Sequence, residues 1–366
     1  SEGDLVEVLD NKRAFLALGY FSTGSISIRI LSFEPTVVDE NFWYSKLQNA
    51  YTYRLKIGLI HSVSTTCYRL VHGEGDGLSG LIIDVYGSVA VIQCHAVGMH
   101  RHIESLATAL KKIYGDKLTA IYDKSAETLS PQQNAGNAVK TGFQNGYVWG
   151  TSETPLQVLE NGNAFAIDWV KGQKTGFFLD QRDNRALLSQ YVVGKSVLNT
   201  FCYSGGFSIY ALKAGARYVH SVDISQKAID LTEHNVQINQ AFDGQHEATA
   251  ADVLPFLKEN SAQYDVVILD PPAFAKSLAK RHNAVQAYKR LNALALKHMT
   301  DGGILFTFSC SQVVDRQLFY DTIVAAGIEA GRRIRVMHHL TQAADHPVNM
   351  FHPEGSYLKG LVLYVE

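Results

Sequence analysis

Val197-Leu-Asn-Thr-Phe-Cys-Tyr-Ser-Gly-Gly206 decides how the chain is read. Val197 to Phe201 has the composition of a buried strand, and the residues after Gly206 that of a helix. Between them the chain must turn sharply. Gly205 and Gly206 permit positive φ and let a ligand come close to the backbone. The helix start then offers N–H groups with no partner inside the helix. The loop is not G-x-G-x-x-G and lacks the P-loop lysine, so neither fingerprint applies. Taken alone, the glycine pair fits a plain tight turn equally well.

The surroundings sharpen the reading. From about Leu156 a hairpin-like region at Ala164–Trp169 is followed by regular alternation of strands and helices. Strands are expected at 197–201, 218–223, 248–251, 265–270 and 304–310, with two more at 334–339 and 360–365. Such alternation predicts an α/β domain: a seven-stranded, mostly parallel sheet covered on both faces, with ligands at the carboxyl ends of the strands. Asp223 ends the second strand, where its carboxylate can accept from both hydroxyls of a ribose; a helix cap is the alternative. Asp252 closes the third strand, near where an adenine amino group would lie, with the same alternative. Upstream, Asp180, Gln181 and Arg182 could flank the ammonium and carboxylate of a cofactor's amino-acid end, or simply form a solvated helix start. These features fit S-adenosylmethionine (SAM). Thr175, Asn199, Phe201, Tyr203, Ser204, Ile224, Ser225, Val253 and Asp270 complete the expected cofactor set.

Asp270-Pro271-Pro272 ends the fourth strand. The prolines fix the backbone and leave its carbonyls available. Phe274 could stack on a flipped base, or be a core side chain beside a turn. Lys276 and Arg281 head the best local basic cluster, which also reads as a solvated face. Cys310 ends the fifth strand, beside the fourth. A buried structural cysteine is the ordinary reading there; the ligand edge suggests a nucleophile. Carbon 5 of cytosine is a poor nucleophile until a thiolate adds to carbon 6, and Asp270 could then assist as charge builds on the ring. Cys202 lies in the cofactor loop, and Cys67 and Cys94 in strand-rich regions, so these three read as structural.

The first ~65 residues read as short strands. Ser25-Ile-Ser-Ile-Arg-Ile30 alternates, and 5–8 and 15–18 suggest two more, so a small β-barrel is expected, followed by a helix at 40–58. Residues 67–155 read as strand, strand, helix, strand, strand: 78–85 and 88–94 around Tyr86-Gly87, a helix at 103–114, then 118–122 and 146–149, with a polar loop at 125–142. The expected division is 1–66, 67–155 and 156–366.

Of the 366 residues, 46% are hydrophobic and 19% charged, which suits globular domains with substantial cores. The net charge of −2 gives no bulk attraction to nucleic acid, so RNA binding would need a local basic patch. Four dispersed cysteines without C-x-x-C argue for a reduced setting and against zinc, and the 14 histidines include no H-E-x-x-H. No apolar run is long enough to span a bilayer, and no secretory signal is read at the start, so a cytoplasmic location is expected. The chain opens at Ser1, and an N-terminal piece is expected to precede it.

With these residues in view, the chain resembles the ribosomal RNA large subunit methyltransferase I family. The resemblance rests on Gly3-Asp-Leu-Val-Glu-Val8, Gly77-Leu-Ser-Gly-Leu81, Thr175-Gly-Phe-Phe-Leu-Asp-Gln-Arg182, Asn199-Thr-Phe-Cys-Tyr-Ser-Gly-Gly206, Asp270-Pro-Pro-Ala-Phe274, Ser309-Cys-Ser311, Asp345-His-Pro347 and Pro353-Glu-Gly355. It implies a PUA-type RNA-binding domain with its opening strand missing here, a central β-β-α-β-β domain and a class I Rossmann-like methyltransferase domain. It also implies Cys310 as nucleophile, no metal, and 5-methylcytidine formation in 23S ribosomal RNA, free or within a large-subunit particle. A homodimer is compatible with it. Ala273 stands where another class of RNA cytosine methyltransferases carries a second cysteine, so the base that completes the reaction is not identified. Two other readings stay open. One is a SAM-dependent N-methyltransferase of guanine or an exocyclic amine that would not need Cys310. The other is an RNA-binding assembly factor that keeps the fold without catalysis.

Overall fold

The computed structural model describes residues 1–23, 26–129, 142–260 and 263–366. Ser25 of the alternating N-terminal strand and residues 130–141 of the expected polar loop lie outside the described residues. The chain forms two compact units, one of residues 1–160, 167–179 and 344–355, the other of 161–166, 180–343 and 356–366. The first two expected domains thus fall in one unit, to which the segment carrying Asp345-His-Pro347 returns.

The first unit opens with β1 (Leu5–Leu9), β2 (Phe15–Phe21) and β3 (Ile28–Ser32) in a three-stranded antiparallel sheet. Helix α1 (Glu40–Lys56) follows, its start fixed by the Asp39 carboxylate accepting from Phe42 N at 2.9 Å. A five-stranded sheet comes next: β4 (Cys67–His72), β5 (Leu81–Tyr86), β6 (Val89–Cys94), β7 (Ala120–Asp123) and β8 (Gly146–Gly150), in that spatial order. The short α2 (Val97–His100) and the amphipathic α3 (Ile103–Tyr114) connect β6 to its parallel neighbour β7. A single turn, α4 (Ala126–Leu129), stands at the start of the expected loop, and β9 (Leu156–Glu160) ends this stretch. Trp43 and Leu47 of α1 pack with Ile83, Ile92, Leu106 and Leu110 in one core.

Strand β4 was not expected, and its polar residues explain why. Arg69 sits at a bulge and pairs with Asp84 at 2.8 Å, so a charge occupies a position where alternation predicts an apolar residue. The fully buried Arg54 lies beneath it. It donates to the Arg69 carbonyl at 2.7 Å, to both carboxylate oxygens of Asp76, and to the Asp345 carbonyl at 2.7 Å. Asp345 in turn accepts from Arg69 N at 2.9 Å. This buried ionic web holds the returning segment 344–355 in the first unit. His72, buried beside Arg69 and packed on the His346 ring at 5.0 Å, has its pKa pushed down to about 2 and stays neutral.

The second unit begins with β10 (Asn163–Ile167) and α5 (Arg182–Leu188). Strands and helices then alternate: β11 (Ser196–Thr200), α6 (Gly206–Lys213), β12 (Tyr218–Asp223), α7 (Gln226–Ile238), β13 (Gln245–Ala250), α8 (Val253–Asn260), β14 (Val266–Leu269), α9 (Arg281–His298), β15 (Gly303–Ser309), α10 (Arg316–Ala330), β16 (Ile334–Leu340) and β17 (Lys359–Val365). The seven-stranded sheet has the order β13-β12-β11-β14-β15-β17-β16, parallel except for β17. Alternate residues serve opposite faces. Leu198, Val267 and Leu269 pack on α8, α9 and α10, while Val197, Val266 and Ile268 pack on α5 and α6. Both faces are therefore dry, and only the strand ends are left for a ligand. Among the described residues no helix is long and apolar enough to cross a membrane.

Removing the Arg54 guanidinium would strand the buried Asp76 carboxylate. Arg54→Met is expected to destabilise the first unit by about 3–5 kcal/mol. Urea denaturation followed by the fluorescence of Trp43 checks this, and a loss under 1 kcal/mol would show that the ionic web is not what holds the segment.

Candidate active site

The loop after β11 is held in a costly conformation. Phe201 and Tyr203 adopt φ +55 and +48, and Gly205 φ +73. Positive φ at two aromatic residues costs on the order of 1 kcal/mol each and persists only where the surroundings enforce it. Here they do. Tyr203 N donates to Asp223 Oδ2 at 3.1 Å, the Thr232 hydroxyl to the Tyr203 carbonyl at 3.1 Å, and the Asn235 amide to the Ser204 carbonyl at 2.8 Å. A Cβ on Gly205 would lie 2.7 Å from Thr232 Cγ2, and one on Gly206 3.0 Å from Arg185 Cδ. Gly205 is thus required by packing behind the loop as well as by its turn, whereas Gly206 has the ordinary φ of a helix start.

Asp223 does what a capping carboxylate does. Its second oxygen accepts from Ser225 N at 2.9 Å, and free lone pairs remain for a further donor. Beside it Ile224 is 76% exposed, an apolar surface at a strand end in an otherwise dry sheet. Asp252 is exposed and accepts from Leu254 N at 3.1 Å, which is its helix-cap role, while Val253 is buried. Asn199 faces inward. Its amide donates to Ser208 Oγ at 2.8 Å, in a buried polar chain that runs on through Ser221 to His246. Thr175 belongs to the first unit, where its buried hydroxyl bonds Asp84 and Tyr86. Arg182 is buried and pairs with Asp183 at 3.3 Å.

Asp180, Gln181 and Asp270 do come together. The Asp180 charge and burial push the Asp270 carboxyl up to about 7, against a hydrogen bond from Gln181 and the nearby Arg185 guanidinium, which pull it down. Gln181 is itself oriented by the Asn184 amide, which donates to its Oε1 at 2.7 Å. Asp180 Oδ2 accepts from the Tyr357 hydroxyl at 2.6 Å, and its other carboxylate oxygen is buried with no hydrogen-bond partner among the described residues. Two acids at one strand edge, one oxygen orphaned and one carboxyl raised, make a site built for a positive ligand. SAM carries an ammonium and a sulfonium, so its charge fits here. When bound it supplies an electrophilic methyl group. Asp180 would hold the ammonium, and the strained loop with Asp223 and Ile224 would hold the nucleoside.

Next to this cluster stands the thiol. β15 pairs with β14, so Cys310 and Asp270 emerge from neighbouring strand ends. Cys310 is partly exposed, whereas Cys67, Cys94 and Cys202 are buried. Burial pushes the Cys94 and Cys202 thiols up to about 12. Ser311 Oγ donates to the Ala275 carbonyl at 2.7 Å and ties the end of β15 to the Asp270-Pro-Pro loop. Pro271 is buried and Pro272 exposed; Phe274 packs on Tyr288 with ring centres 4.6 Å apart. Lys276 and Arg281 are exposed and make no ion pair among the described residues. Sequence reasoning missed Arg185, Tyr288, Tyr357 and Lys359, all of which reach this edge. The only signal for Lys359 was a lysine heading the apolar run Gly360-Leu-Val-Leu-Tyr-Val365. Among the described residues no group of side chains could hold a metal.

Sheet order, strained loop and paired acids define a class I SAM-dependent methyltransferase. The S-adenosylmethionine-dependent methyltransferase family matches residues 142–347, and a PUA-like domain matches residues 1–33. Proteins named ribosomal RNA large subunit methyltransferase I are similar over the whole chain. The one from Shewanella amazonensis is 38% identical, covering 99% of this chain and 91% of its own; the one from Photobacterium profundum is 39% identical, covering 100% and 91%. The chain belongs to the ribosomal RNA large subunit methyltransferase I family. The crystal structure of SMU.776, a methyltransferase complexed with SAH, shares the fold, with a TM-score of 0.85 at 22% identity over 100% of this chain and 92% of that one.

Two predictions follow from the acid pair. Asp180→Asn is expected to weaken S-adenosylhomocysteine binding by about 10–100-fold, the worth of a charge-assisted hydrogen bond, with the circular dichroism unchanged. Calorimetry giving wild-type affinity would remove Asp180 from the site. Asp270→Asn should stabilise the ligand-free protein. Because the folded-state pKa is raised, the folded chain holds more protons than the unfolded one between about pH 4 and 7, so stability falls as pH rises through that window. The gain from the amide should be on the order of 4 kcal/mol at pH 8 and vanish below about pH 4. A pH-independent difference in urea midpoints would contradict it.

Proposed function

We propose that the protein transfers the SAM methyl group to carbon 5 of a cytidine in 23S ribosomal RNA, with Cys310 as the transient nucleophile. The observation that carries this reading is the partly exposed Cys310 at the strand end next to Asp270, the other three thiols being buried. The sulfur adds to carbon 6 of the flipped base, and the electron pair moves toward carbon 5. Asp270, near half-protonated at neutral pH, donates to the ring nitrogen as negative charge builds there. Carbon 5 takes the methyl group. Transfer of the carbon-5 proton to a solvent water then lets the C–S electron pair return to the sulfur, restoring the aromatic ring and the thiolate. Lys276 and Arg281, exposed beside the loop, would hold RNA phosphates, and Pro272 and Phe274 would border the base. The names of the curated relatives support large-subunit ribosomal RNA as the substrate, and the PUA-like match supports an RNA-binding role for the N-terminal residues.

RNA carrying 5-fluorocytosine cannot lose a proton from carbon 5, so it should trap the covalent adduct. A protein–RNA band resistant to denaturant is expected with the wild type and none with Cys310→Ala. Undiminished methyl transfer by Cys310→Ala would mean that an exocyclic amine or ring nitrogen is methylated instead.

A further inference from the structure

We propose that Lys359 is the positioning residue that keeps Cys310 in its thiolate form. The inference deepens the proposed use of Cys310 as nucleophile and rests on it for its purpose, though not for its test. Lys359 begins β17, the antiparallel strand that crosses to the ligand edge, and its Cα pairs with that of Ser309. Its side chain is buried, and Nζ donates to the Ser311 carbonyl at 2.6 Å. The residues on both sides of Cys310 are thus bound to Lys359, one through the sheet register and one through the ammonium.

This ammonium is short of negative charge. Among the described residues no carboxylate lies within ion-pair distance of it. Asp315 is near enough to act on it but not to pair, and Arg316 from the same helix start opposes it. Burial pulls Lys359 down to about 8, and of the charges that favour its cationic form, Cys310 is the largest. A thiolate there would complete the pair.

Tyr288 from α9 lies close enough to feel both Cys310 and Asp270. Burial pushes its hydroxyl up to about 12, so it stays neutral. Arg316 and His339 line a cavity of about 320 Å³ together with Lys359, and Cys310 is itself partly exposed. In the cycle the thiol proton leaves to solvent before RNA binds. The C–S bond then forms and breaks with Lys359 charged throughout, so the lysine gains and loses nothing.

The test is the pH dependence of Cys310 alkylation by iodoacetamide in the full chain without RNA, read on the Cys310 peptide by mass spectrometry. The wild-type midpoint is expected at least one unit below the ~8.5 of an ordinary thiol. Lys359→Met should raise it by about one unit or more, leaving roughly tenfold less thiolate at pH 7, and Lys359→Arg should restore most of the shift. A wild-type midpoint at or above about 8.5 overturns the proposal without any variant. So does an unmoved midpoint in a folded Lys359→Met protein. A depressed midpoint together with no fluorocytosine adduct would support the lysine's role and refute cytosine methylation, so the two ideas fail separately.

Discussion

Asp180 and Asp270 are held together at the carboxyl edge of a sheet whose two faces are sealed by helices. Burial and mutual repulsion raise the Asp270 carboxyl to about 7, and one oxygen of Asp180 is left without a partner. A folded chain tolerates such an arrangement only if something offsets it. The cost is met by the rest of the unit: continuous apolar packing on both faces of β11, β14 and β15, and hydrogen bonds from Gln181 and Tyr357 that fix the two acids in place. The pair is therefore under tension as it stands, and a cation bound beside it would relieve that tension.

The same logic orders the neighbouring groups. Desolvation holds the Asp270 carboxyl partly protonated near neutral pH, with the Asp180 charge adding to the effect. On the other side of the edge, Lys359 supplies positive charge next to Cys310. The edge separates its charges, with the acids Asp180 and Asp270 on one side and the Lys359 ammonium on the other.

Much of this was legible in the sequence. The central strands of the second unit were read close to their observed bounds because they are apolar runs that end in a turn, as strands buried on both faces do; the polar edge strand β13 begins three residues earlier than expected. The edge itself followed, since Gly205, Asp223, Asp270 and Cys310 all sit where such runs stop. What stayed hidden was charge placed inside. β4 escaped notice because Arg69 and its bulge break the alternation, and Asn199 looked like a ligand contact because nothing local reveals the partner Ser208. Arg185, Tyr357 and Lys359 reach the edge through sheet order and helix packing, which no spacing rule encodes.

The interleaving of the two units shows the same limit. Residues 344–355 leave the second unit between β16 and β17 and join the first through Asp345, whose backbone and side chain meet Arg54 and Arg69. A buried guanidinium needs several acceptors at fixed angles, and Arg54 finds them in Arg69 and Asp76, close together in the chain, and in Asp345, 291 residues on. The strand that follows this excursion is β17, which begins with Lys359. The excursion's anchorage in the first unit and the arrival of the ammonium at the thiol edge are therefore consecutive features of one segment. Within the second unit the start of β17 is fixed by the Tyr357 hydroxyl on Asp180, by Leu358 N donating to Gln342 Oε1 at 3.4 Å, and by the register that sets Lys359 opposite Ser309.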